Sequence, residues 1–154
     1  MSEICKKDLK TCCFIGHNQP YNKSVVYAVE SQIYRMAERG VVDFLSGGMG
    51  EFDFIGAGVV AYWQKTGLPQ IRNVLMIYDG FTRYDPAHYD EIRLDPRLEH
   101  CQPRYGIPKR NRIMVESSDC AICYVDHPSN GAYKTFLYAQ ELGIEIINLS
   151  EPFL

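Results

Sequence analysis

Short apolar runs alternating with stretches of helical spacing constrain this chain more than any other feature. The runs are "TCCFIG" (11–16), "VVDFLS" (41–46), "IRNVLMIY" (71–78), "DCAICYV" (119–125) and "IEIINL" (144–149). Within them "VLMIY" and "AICYV" are apolar at consecutive positions, as strands covered on both faces must be. Between the first two runs, Val25, Val29, Ile33 and Met36 recur every three or four residues, and Gly40 stops the pattern. Phe52, Ile55, Val59 and Trp63 repeat that spacing before Gly67 and Pro69. Gly56 and Gly58 weaken this second helix intrinsically, which points to close packing against a neighbour. A third helix is expected to start at Pro108 and run through "KRNRIMVESS", and a fourth covers "YKTFLYAQEL" up to Gly143. Strand–helix alternation of this kind predicts an α/β, Rossmann-like three-layer sandwich with a mainly parallel, five-stranded sheet, forming one domain over residues 1–154.

Residues 79–108 break the rhythm. They hold four prolines, several tyrosines and many charges without a period, and read as a long irregular loop carrying one short helix. Connections of this length inside a compact fold usually serve as lids or interfaces. A net charge of −3 argues against a protein that coats duplex nucleic acid. No apolar run reaches the about 18 to 20 residues that cross a bilayer, and the first residues lack the apolar core of a secretory signal, so a cytoplasmic protein is expected. The six cysteines lack zinc-finger spacing. "CAIC" sits in a strand, where positions three apart face opposite ways, so buried, free thiols are expected. Neither a metal nor a cofactor is expected.

In a parallel sheet, ligands bind beyond the carboxyl ends of the strands, where helix N-termini point. Four segments fall at that edge: "GHNQ", "SGGMGEFD", the start of the "KRNR" helix, and "HPSNGAYKT". There is no G-x-x-x-x-G-K-[ST] and no G-x-G-x-x-G, which sets aside Walker-type NTPases and ordinary NAD dehydrogenases.

"CCFIGHN", "SGGMGEFD" and "KRNRIMVESSDCAICYVDHPSNGAYKTFLYAQELGIEII" together resemble the SLOG superfamily, most of all its small YpsA-like members. Phosphoribohydrolases of the LOG type and the DNA-processing protein DprA are its other branches. The resemblance spans about residues 11 to 148, with the blocks in the family's order, and implies a Rossmann-like fold that binds nucleotides or nucleotide-derived ligands. The family's first loop reads G-H-R; here Gly16, His17 and Asn18 stand there, one cation short. The second block is matched, one residue shorter, by Gly47, Gly48, Gly50, Glu51 and Asp53. Arg110, Asn111, Met114, Ser118 and Asp119 match the run that carries the LOG catalytic arginine, with Asn111 in place of a lysine. Asn130, Gly131, Ala132, Tyr133, Lys134 and Thr135 occupy the phosphate loop. The LOG glutamate falls on Leu137 or Tyr138, so that acid is missing.

Cleavage of an N-glycosidic bond needs a carboxylate to stabilise an oxocarbenium-like centre or activate water. Glu51 and Glu116 are the candidate replacements, beside Arg110, but Glu116 also stands four residues after Arg112, the spacing of a helix-surface ion pair. Glu51 and Asp53 either cap the second helix or accept sugar hydroxyls. Amides near Gly131, with Arg110 and Lys134, suit a phosphate. The tyrosines of the irregular segment either stack on a base or fill space. His17 holds its loop or contacts ligand. The resulting expectation is a protein that binds, senses or sequesters a ligand of the NAD, ADP-ribose or cyclic-nucleotide type, without strong catalysis, as a homodimer or higher homo-oligomer and away from membranes. The alternative is a phosphoribohydrolase or other N-glycosidic hydrolase with a relocated acid. Single-stranded nucleic acid is a less favoured partner, given the acidic charge.

Overall fold

The computed structural model describes residues 9–78 and 84–150. Its strands and helices are β1 (Thr11–Gly16), α1 (Lys23–Glu38), β2 (Asp43–Ser46), α2 (Glu51–Thr66), β3 (Arg72–Met76), β4 (Glu91–Arg93), α3 (Pro103–Glu116), β5 (Cys120–Tyr124), α4 (Ala132–Leu142) and β6 (Glu145–Asn148). The sheet runs in the order β4-β3-β2-β1-β5-β6, and every pairing is parallel. From β1 the chain winds outward to β4, then returns through α3 to place β5 beside β1. Its direction of winding therefore reverses between β1 and β5. At such a reversal the loops leaving neighbouring strands diverge and open a crevice.

The sheet has six strands, not the five expected. The sixth, β4, lies inside the irregular segment and is three residues of alternating polarity, Glu91-Ile92-Arg93, too short for periodicity to register. An edge strand exposes one side to water, and here charge holds it. Arg72 on β3 reaches Asp43 at 3.0 Å and Glu91 at 2.8 Å, tying three strands together. Two short 3-10 turns, Pro86–His88 and Pro96–Leu98, flank β4, and Asp85 and Asp95 accept hydrogen bonds from their first amides. The third helix also starts earlier than expected, at Pro103, which leaves Pro108 inside it. A proline does open the helix, but it is a different one. Residues 79–83 of the expected loop lie outside the described residues.

Each face of the sheet carries its own core. Phe14, Phe44, Phe52, Val29, Ile33 and Met36 pack between the sheet and α1 and α2. Ile15, Leu45, Val74, Met76, Ile113 and Phe136 pack between the sheet and α3 and α4. Cys12 and Cys120 belong to the first core, and Cys13 and Cys123 to the second, so the C-x-x-C pair does point to opposite faces. All four are buried free thiols; desolvation pushes Cys13 up to about 12, which removes its reactivity as a thiolate.

The two helix glycines differ. A Cβ on Gly56 would stand 2.7 Å from the Phe14 ring, whereas one on Gly58 meets nothing within 4 Å. Close approach of α2 to the sheet therefore requires Gly56 alone. Gly58→Ala is expected to stabilise the fold by roughly 0.5–1 kcal/mol through helix propensity. Gly56→Ala should cost about 1–3 kcal/mol through overpacking. Denaturant melts of the two variants, read for opposite signs, check this.

Candidate ligand cleft

The crevice between β1 and β5 encloses about 470 Å³. Gly16, His17 and Asn18 enter it from the end of β1, Gly50 and Asp53 from the loop after β2, Arg110 and Asn111 from α3, and His127, Gly131 and Thr135 from the connection into α4. Three of the four edge segments thus converge directly with the start of α4, from positions more than a hundred residues apart in the chain.

The glycine loop after β2 is held from two sides. Arg110 is only 3% exposed, and its Nη1 donates to the Gly47 carbonyl at 2.9 Å. Its Nε and Nη2 donate to Asn111 Oδ1 at 3.2 and 2.9 Å. A Cβ on Gly47 would lie 2.7 Å from the guanidinium carbon, so only glycine permits this contact. Gly48 adopts φ 66°, a conformation that side chains disfavour. From the other side, Asp53 accepts from the Met49 amide at 3.3 Å. Burial raises the Asp53 carboxyl to about 6, against the opposing pull of Arg110 and of the Met49, Gly47 and Gly48 amides. Burial also lowers Arg110, which Asp53 partly offsets; a guanidinium keeps its charge regardless.

Asn18, the residue in place of an expected cation, has a structural task. Its Oδ1 accepts the amide of Glu51 at 3.2 Å, which supplies the cap that Gly50 cannot. Glu51 itself is exposed at the start of α2 and does not line the cleft. At α4, Gly131 is the N-cap without a side-chain acceptor, and no acid occupies the first turn. Ser129 Oγ accepts the Tyr133 amide at 3.1 Å, and Thr135 Oγ1 donates back to the Gly131 carbonyl at 3.1 Å. The α4 N-terminus therefore presents its positive end to the cleft at Gly131 and Ala132.

Of the expected site residues, Gly16, His17, Asn18, Gly50, Asp53, Arg110, Asn111, Gly131, Ala132 and Thr135 line the cleft. Gly47 and Gly48 are buried and shape the loop; Asn130 and Lys134 are exposed and do not line the cleft, though their neighbours Gly131 and Thr135 do, and Tyr133 turns into the second core. Glu116 does not belong. It accepts the Tyr138 hydroxyl and pairs with Arg97 at 3.5 Å, on another surface of α3. The expected Arg112–Glu116 pairing is replaced as well, since Arg112 lies 5.9 Å over the Tyr138 ring. Ser118 and Asp119 serve the far end of α3: Ser118 bonds the Met114 carbonyl, and Asp119 accepts the Lys10 and Thr11 amides. Tyr84, Tyr89 and Tyr105 are not among the lining residues, and Tyr105 instead carries Arg104 at 4.8 Å over its ring.

Three cleft features escape the sequence reading. His127 stacks on His17 with ring centroids 3.7 Å apart and planes 13° from parallel. Asp126 stands beside both, 2.6 Å from His127 Nδ1 and 3.6 Å from His17 Nε2. Met49 and Ile107 add apolar wall. Burial lowers the His17 pKa, and the His127 charge lowers it further, outweighing Asp126.

No family model matches the chain, and no curated protein does. Solved structures do. A structural-genomics target, TM1055, is 17% identical with a TM-score of 0.59, over 89% of this chain and 72% of that one. DNA processing protein A from Helicobacter pylori, described for its single-stranded DNA binding mode, is 18% identical with a TM-score of 0.62, over 92% of this chain and 66% of that one. DNA processing protein A from Streptococcus pneumoniae is 12% identical with a TM-score of 0.55, over 94% of this chain and 60% of that one. This chain therefore spans less than two thirds of either DNA processing protein. The shared architecture is a Rossmann-like α/β fold around a parallel sheet. Among the described residues, no helix is long and apolar enough to cross a membrane.

The raised Asp53 pKa makes a signed prediction. A carboxyl held up in the folded state costs nothing below its unfolded pKa and destabilises increasingly until pH passes its folded value. Asp53→Asn keeps an acceptor for the loop amides and removes the charge. It should match the wild type near pH 4 and exceed it by about 2 kcal/mol above pH 6. Denaturant melts across that range check the result, and a gap that shrinks with rising pH would contradict it.

Proposed function

We propose that the cleft binds a nucleotide or nucleotide-derived ligand of the NAD, ADP-ribose or cyclic-nucleotide type, and that the protein senses or sequesters it without strong catalysis. The observation that carries this reading is Arg110, a nearly dehydrated guanidinium lining the same cleft as the start of α4, where the N-cap Gly131 offers no side-chain acceptor. Three of its hydrogen bonds position it, and donors remain for an anion. A phosphate between Gly131 and Arg110 meets backbone amides, a helix dipole and a fixed charge. Asp53 then accepts sugar hydroxyls, the role acids take in dinucleotide folds. The apolar walls at Met49 and Ile107 suit a base better than the tyrosines of the irregular segment do.

The fold likeness to a DNA processing protein described for binding single-stranded DNA supports a nucleotide-related ligand, and the sequence blocks resemble the YpsA-like branch most. Asp53 is the one carboxylate among the described cleft-lining residues, and it is engaged with the loop amides. Glu116 lies elsewhere, and Asp126, which stands beside the lining histidines, is paired with His127 at 2.6 Å; with both nearby acids engaged, binding without turnover is the reading we favour. We further propose a cytoplasmic protein that forms a homodimer or higher homo-oligomer.

Calorimetry with NAD, ADP-ribose and cyclic nucleotides should give saturable binding, a raised melting temperature, and ligand recovered intact. Arg110→Ala should weaken it at least about tenfold, the scale of one charge-assisted contact. Because Arg110 also braces a loop, Lys134→Glu provides a second reading at an exposed position and should weaken binding severalfold. Unchanged affinity in both variants removes the phosphate from this cleft. Released free base would make the protein a hydrolase, and steeply salt-dependent oligonucleotide binding without nucleotide binding would transfer the DNA-processing role to it.

A further inference from the structure

The imidazole pair at the reversal of the sheet has no part in holding a sugar-phosphate as described above. His17 leaves β1 and His127 follows β5, so the strand reversal itself brings them together. His17 is only 6% exposed, yet its Nε2 is buried without a hydrogen-bond partner among the described residues. A buried imidazole nitrogen without a partner is costly unless something absent from the bare chain engages it. Asp126 Oδ1 stands 3.6 Å from that nitrogen, and His127 completes a group of three metal-ligating side chains around it.

We propose that His17, Asp126 and His127 bind a divalent transition-metal ion of the zinc class at the wall of the cleft. One ligand atom from each residue lies within 4.8 Å of the other two. Ligands of a tetrahedral zinc ion, at about 2.0–2.1 Å from the metal, stand roughly 3.3 Å from one another. Asp126 Oδ1 is 3.6 Å from His17 Nε2 and 2.6 Å from His127 Nδ1, which brackets that spacing. The stacked rings send their lone pairs side by side, so a shared ion requires one ring to tilt. His127 can do so: its side chain is 52% exposed, while His17 is enclosed. Two imidazoles and one carboxylate favour zinc and its neighbours over calcium or magnesium, which take oxygen.

The backbone under these ligands is fixed. Asn148 on β6 bonds both the amide and the carbonyl of Val125, at 3.2 and 3.0 Å, immediately before Asp126. The Tyr21 hydroxyl donates to the His17 carbonyl at 2.6 Å. Support of this kind holds ligands near productive geometry before an ion arrives. Both histidines line the cleft, so the open coordination positions face it, with water completing the shell as in sites that keep a free position.

The test titrates the full chain, stripped with a chelator, using zinc by calorimetry and cobalt by visible spectroscopy. One ion per chain is expected, with cobalt bands of a nitrogen–oxygen site and no thiolate charge transfer. His127→Gln, at an exposed position, and His17→Gln should each weaken zinc at least about tenfold, while Cys101→Ser leaves it unchanged. Thermal melts of the stripped variants verify folding, and if His17→Gln fails to fold, His127→Gln decides. Absence of stoichiometric uptake, uptake unaffected by His127→Gln, or a thiolate band abolished by Cys101→Ser would overturn the proposal. Zinc alone is the probe, so this outcome is separate from whether any nucleotide binds.

Discussion

The contact between the Arg110 guanidinium and the Gly47 backbone is the constraint from which the cleft follows. It joins a helix on one face of the sheet to a loop leaving β2, and it needs a residue without Cβ at the point of closest approach. With Gly47 in place, the loop turns through Gly48 at positive φ and delivers Gly50 and Asp53 to the sheet edge. Buried charge is retained only where its hydrogen bonds are met, and Arg110 meets that demand with a carbonyl and an amide oxygen instead of a close carboxylate. Its charge is held in place without being cancelled.

The pairing of glycines and acids in "SGGMGEFD" is thereby explained. A glycine-rich turn exposes amides, and an unligated loop needs acceptors for them. Asp53, one turn into α2, accepts from Met49 and is stabilised by Gly47 and Gly48, so the acid first serves its own loop. Glu51 remains at the exposed helix start, where its charge favours the positive end of α2. The amides at the start of α4 belong to a different segment, whose first turn carries no acid. Opposite electrostatic requirements are met by separating them across the cleft.

Strand–helix alternation and the two-sided apolar runs in the sequence were enough to specify five of the six strands and their parallel arrangement, because period and burial are local properties. Helix α1 and the opposed cysteines of "CAIC" followed from the same local rules. β4 did not, since three residues at an edge owe their place to Arg72, a partner on another strand. The start of α3 was misplaced because Pro103 and Pro108 are both permissible openings, and the choice is made by tertiary contact: Gly106 sits against Tyr78, whose hydroxyl bonds the Cys101 carbonyl. The same limit applies to the cleft. His127 has no sequence signal linking it to His17, and only the parallel pairing of β1 with β5 makes them neighbours.

The residues that depart from the pattern this sequence resembles are mutually consistent. Where a cation would follow Gly16 and His17, Asn18 gives an amide oxygen to the α2 N-terminus, a bond that a cation cannot make because it has no acceptor. A Cβ on Gly50 would come within 3.2 Å of Asn18 Cβ, so the two positions constrain each other. Past Thr135, the positions that would carry a catalytic acid are Leu137, which is exposed, and Tyr138, which turns to Glu116. Between Asn18 and Thr135 the cleft is lined by Arg110 and by the first residues of α4.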